Sequence, residues 1–122
     1  MRTWGSIGVA GAVGVLARHA VQQIVPRHGG MPWGTLLVNI SGAFILGFLF
    51  TLIVRRFETA MWMQEALLVG LLGGYTTFSA FSLETFLMIE HGRVALAASY
   101  SLGSVLGGVA AVFTGIHLAR LV

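Results

Sequence analysis

The chain is 122 residues long, 57% hydrophobic and only 9% charged, with a mean hydropathy of +0.89, a balance that excludes an ordinary soluble domain and marks an integral membrane protein. Its net charge of +3 rests on arginines alone, scattered singly apart from the pair Arg55-Arg56, which suits lipid headgroups and argues against nucleic acid as a partner. Cysteine is absent, so disulfides and thiolate metal sites are excluded.

A bilayer core about 30 Å thick takes roughly 20 apolar residues per helix. Four stretches qualify, and the expected fold is a single all-α domain of four transmembrane helices over residues 1–122. The first runs from Trp4 to about Val25. It is too long for a signal-peptide core and carries Arg18 and His19 near its end, so it reads as a retained helix. The second runs from Gly34 to Val54 and holds the chain's single asparagine, Asn39, with Ala43 and Gly47 on the same face. An amide in hydrocarbon serves either as interhelical glue or as a donor to a dehydrated anion.

The third stretch, from about Met61 to Ile89, is long for an upright crossing and contains Gly73-Gly74-Tyr75-Thr76-Thr77-Phe78-Ser79-Ala80-Phe81-Ser82. Two glycines and four hydroxyl residues at membrane depth predict a helix broken near its middle. Irregular backbone is tolerated there only when it is buried in protein or lines a watery cavity. Such a break frees carbonyls that can hold a cation and amides that attract an anion; the competing reading is a packing kink satisfied by the threonine hydroxyls. Phe78 and Phe81 share a helical face. Ordinarily they would be lipid contacts or core, but beside a break their positive ring edges can approach an anion.

The fourth stretch, from Val94 to about Ala119, repeats small residues at Ser99, Gly103, Gly107, Ala111 and Gly115, a face for close helix approach. Arg18 and Glu84 are the ionisable groups at membrane depth. They either pair with each other or act separately, Arg18 as an anion-attracting charge or a snorkelling one and Glu84 as an anchor for the second half-helix. The histidines fall near span ends, without metal-site spacing, and no nucleophile, base and orienter come together.

Short connections make neighbouring spans antiparallel. An even number of spans puts Arg2, Arg55, Arg56 and Arg120 on one side and Arg27 and Arg93 on the other, with Arg18 joining them if it reaches that interface. The bias is weak, so the chain is expected to insert either way or to be fixed by the Arg55-Arg56 pair. No internal repeat supplies the inverted halves of many transport proteins; an antiparallel homodimer would.

These blocks resemble the CrcB/Fluc family of fluoride channels: Gly11 to Arg18, Pro32-Trp33-Gly34-Thr35-Leu36-Leu37-Val38-Asn39 with Gly42 and Gly47, and above all Gly73 to Ser82 followed by Glu84. The resemblance implies a dual-topology antiparallel homodimer in the plasma or inner membrane, passing fluoride along two pathways and holding a structural sodium ion at the centre. It implies that Asn39, Phe78 and Phe81 line each pathway, with Thr76, Thr77, Ser79, Tyr100 and Ser104 beside them. Arg18 would serve an anion-attracting vestibule, and the carbonyls of Gly73 and Thr76 would hold the sodium. Ala80 and Gly108 stand where relatives carry hydroxyls. A small multidrug exporter would need a carboxylate in the first span, which this chain lacks; an accessory subunit would need no polar break; an enzyme would need a catalytic constellation.

Overall fold

A computed structural model describes residues 2–122. The described residues are mostly helical, and no strand occurs among them. Helix α1 covers Arg2–Ile24 and α2 covers Trp33–Leu49, continuing into a wider π-wound stretch over Phe50–Arg56. A third helical run starts with α3 at Met61–Gln64, passes through a second π-wound stretch at Glu65–Leu71 and closes with α4 at Leu72–Tyr75. Helix α5 at Phe78–Glu90 and α6 at Val94–Leu121 complete the chain.

Among the described residues, Trp33–Arg56, Met61–Glu90 and Val94–Leu121 are both long and apolar enough to cross a membrane. Helix α1 has the length, at 23 residues, but Arg2, Thr3, Ser6, Arg18, His19, Gln22 and Gln23 dilute its apolar character. Little side-chain bulk is enclosed. Val38, Leu72, Met88 and Tyr100 are buried, whereas Leu16, Val69, Leu106, Val109 and Phe113 are exposed, an inversion of the soluble pattern that suits helices facing lipid.

Glycine sets how closely the helices approach. A Cβ on Gly14 would run into the Leu71 carbonyl, and one on Gly74 would lie 2.6 Å from the Gly11 carbonyl oxygen, so α1 lies directly along the third run. Helices α2 and α6 meet in the same way, through Gly47 against the Val112 backbone and Gly115 against that of Phe44. The small-residue face of α6 therefore divides: Gly107 and Gly115 pack on α2, while Gly103 has nothing near it and Ser99 is exposed.

The connections are tied down. Gly92, at φ +74°, ends α5 with paired bonds from its own N–H to Ile89 and from the Arg93 N–H to the Met88 carbonyl, the left-handed cap that glycine accommodates. Arg93 then donates to the Gly29 carbonyl at 2.6 Å, joining the first connection to the third.

Candidate functional site

The helical run from Met61 is interrupted at Thr76 and Thr77, both extended, with ψ of 158° and 122°. An extended pair at this depth strands backbone groups that a helix would satisfy internally. Asn39 takes up two of them. Its Nδ2 donates to the Thr77 carbonyl at 2.9 Å, and the Thr77 N–H donates to its Oδ1 at 2.8 Å. The Thr77 hydroxyl caps α5 by accepting from the Ala80 N–H at 3.2 Å, and the Thr76 hydroxyl donates back to the Leu72 carbonyl at 2.9 Å. Gly42 makes room, because a Cβ there would collide with the Thr76 methyl.

Beside this bracket lies a cavity of about 270 Å³ walled by Asn39, Thr76, Thr77, Phe78, Phe81, Ser104 and Val105. Two donors on its lining residues are uncommitted. The Asn39 amide has spent one of its two hydrogens, and the buried Ser104 hydroxyl has no partner. A buried polar group without a partner is costly and calls for an explanation. The ring centroids of Phe78 and Phe81 lie 5.8 Å apart with planes tilted by 47°, a tilted aromatic pair in the cavity wall.

Of the residues singled out from sequence, Asn39, Thr76, Thr77, Phe78, Phe81 and Ser104 thus converge. Ser79 and Tyr100 stand outside the cavity. Ser79 is exposed and lies 3.4 Å from the Thr77 hydroxyl. Tyr100, fully buried, packs against Phe81 with ring centroids 5.1 Å apart and planes tilted by 33°, and donates to Glu84 Oε2 at 2.7 Å. The alternative of an Arg18–Glu84 ion pair does not form. Arg18 sits at the break, where Nη1 donates to the Thr76 carbonyl at 3.2 Å. Glu84 lies two turns into α5, where Thr35 donates to its Oε1 at 3.0 Å and Arg27 pairs with the same oxygen at 3.4 Å.

Glu84 anchors a polar cluster that sequence reasoning did not assemble. Gln22 donates to the Thr35 hydroxyl at 3.1 Å, and these groups border a second cavity of about 350 Å³ together with Arg27 and Ala80. Phe81, on the wall of the first cavity, packs on Tyr100, which in turn bonds Glu84 on the wall of the second. The members come from α1, the first connection, α2, α5 and α6, a convergence with no sequence period to reveal it.

The break also frees backbone oxygen. In a continuous helix the Gly73 carbonyl would accept from the Thr77 N–H, but that N–H goes to Asn39, which leaves the carbonyl free. Space beside Gly73 is open. The Thr76 carbonyl already receives a cationic group. Among the described residues no cluster of His, Asp or Glu could hold a metal, so backbone oxygen is the available donor, the kind that hard cations take.

Residues 6–116 match the family described as CrcB-like protein, Camphor Resistance (CrcB). The chain is 43% identical over 114 residues to a Nitrobacter hamburgensis protein named fluoride-specific ion channel FluC 2, covering 92% of each chain. It is 42% identical over 116 residues to the fluoride-specific ion channel FluC of Agrobacterium fabrum and 40% identical over 116 residues to that of Rhizobium meliloti, covering 93% of each chain in both comparisons. With nearly full-length matches to ion channels, and three long apolar helices in its structure, this chain is a multi-pass membrane protein that belongs to the CrcB-like family.

Proposed function

We propose that this protein is a fluoride-selective ion channel that lets fluoride leave the cell passively across its plasma or inner membrane, protecting the cell from fluoride. The reading rests on relatives named fluoride-specific ion channels and on one observation: the cavity at the break is lined by Asn39 with one hydrogen unspent, Ser104 with an unpartnered hydroxyl, and two phenylalanine rings. Fluoride is small and strongly hydrated, so a path must replace its water with donors, yet hold it weakly enough to release it. Neutral donors and ring edges meet both needs, whereas a buried bare arginine would trap the ion.

In this reading Asn39, Phe78 and Phe81 line the path, Thr77 and Ser104 supply hydroxyls, Ser79 and Tyr100 flank it, and Arg18 offers its remaining donors to anions at the vestibule. The working unit is an antiparallel, dual-topology homodimer with two such paths, and α1 serves as the fourth span by lying along the third run. The carbonyls of Gly73 and Thr76 would hold a structural sodium ion, which would neutralise the partial negative charge at the end of the Met61–Tyr75 run. Fluoride efflux from proteoliposomes loaded with fluoride tests the function. Efflux that exceeds chloride efflux and needs no proton gradient is expected, and a proteoliposome that releases neither ion rules the channel out.

A further inference from the structure

One oxygen at the break faces two claims. The Thr76 carbonyl lies just beyond the C-terminal end of the Met61–Tyr75 run, where partial negative charge collects. The extended backbone that follows gives it no helical N–H. In the chain alone its partner is Arg18 Nη1, at 3.2 Å. That placement is not casual. Arg18 follows Gly14 by one turn of α1, and Gly11 and Gly14 hold α1 against Gly74 and Leu71, just before the break, so the guanidinium is delivered to this carbonyl by a close, glycine-lined helix contact.

We propose that Arg18 is the resident counter-charge of the break, and that it competes with sodium for the Thr76 carbonyl. The proposal rests on the sodium reading above. Two cations on one carbonyl oxygen repel strongly in surroundings less polar than water. Sodium entry therefore displaces the guanidinium, and the displaced Arg18 turns its charge to the watery side of the break, where anions arrive. Coupling of this kind is reciprocal: an anion that draws Arg18 away strengthens sodium binding, and sodium strengthens the anion's hold on Arg18. Arg18 is thus a positioning residue. It keeps the break ordered before sodium arrives and limits how tightly sodium binds afterwards.

The test is sodium-dependent thermal stability of the purified full-length protein in detergent, with a large organic cation replacing sodium at constant ionic strength. Arg18→Gln keeps a donor for the carbonyl and removes the charge. The sodium concentration giving half of the maximal stabilisation is expected to fall at least tenfold in this variant. An equal or higher midpoint overturns the competition and leaves the sodium site standing, whereas no sodium stabilisation of the unaltered protein overturns both. A second measurement is made on the unaltered protein and does not depend on the Gln variant. In the unaltered protein, sodium added over the stabilising range should move the Arg18 Nε–H resonance, assigned by its loss in Arg18→Lys. A resonance that stays fixed while stability rises overturns the proposal.

Discussion

At the scale of the residue, Asn39 carries two duties at once. Its amide closes both backbone groups of Thr77 and keeps a second hydrogen unspent on the cavity wall, so glue and ion donor, which look like alternatives in the sequence, are compatible in one side chain. Asn39→Ala is therefore expected to lower stability by about 1–3 kcal/mol, since it orphans a donor and an acceptor while membrane hydrogen bonds are individually modest. Thermal unfolding in detergent measures this, and efflux should fall steeply in the same variant. Phe78 and Phe81 separate the two duties. Phe78 is 79% exposed in the chain, whereas Phe81 packs between Phe78 and buried Tyr100. Phe81→Ile is expected to cost about 0.5–1.5 kcal/mol of aromatic pairing, and Phe78→Ile almost nothing in stability while still lowering fluoride efflux. Normal efflux in the Phe78 variant would reduce its ring to lipid contact.

At the scale of the element, glycine spacing in α1 makes a sharp contrast. Gly14 meets the Leu71 carbonyl, whereas Gly8 has open space around it. Gly14→Ala must push two backbones apart and is expected to cost about 1–3 kcal/mol. Gly8→Ala should be neutral or slightly stabilising through helix propensity. Melting temperatures of the two variants decide this, and equal melting temperatures would contradict the packing of α1 on the third run. The same elements show what the sequence could disclose. Hydropathy finds long spans because bilayer thickness fixes their length, and Thr76-Thr77 is conspicuous because hydroxyls at that depth need a reason. The partners of Glu84 stayed hidden. Thr35, Arg27 and Tyr100 are brought to it by tertiary packing alone, and pairing Arg18 with Glu84 failed because α1 carries Arg18 to the break while α5 carries Glu84 two turns away. Spacing of small residues predicts that α6 is approached closely but not which part is used. The lower half meets α2, and Gly103 is left facing open space.

At the scale of the molecule, the arginine balance and the open faces bear on one question, how many orientations the chain adopts. If α1 crosses, Arg2, Arg55, Arg56 and Arg120 share a side and oppose Arg27 and Arg93, a difference too small to fix insertion firmly. Helix α1 is the least apolar of the four, so its crossing depends on its tight seat against the third run, through Gly11, Gly14, Gly70 and Gly74. Open space beside Gly73 and Gly103 meanwhile leaves room for a second copy. A dual-topology dimer makes three linked demands: both termini on one side in each chain, each terminus reachable from both sides in the population, and loss of function when all chains point one way. Cysteines placed at the two termini, in a protein with none of its own, should label from either side of sealed vesicles in about equal amounts. Several lysines added at the amino terminus should fix one orientation and abolish efflux. Co-expression with a chain carrying added lysines in the Arg27 connection should restore it, because the same positive charge placed at opposite ends of the fold recreates the antiparallel pair. Efflux from the single fixed-orientation variant, with labelling from one side only, would show that parallel chains suffice and remove the antiparallel dimer from the mechanism.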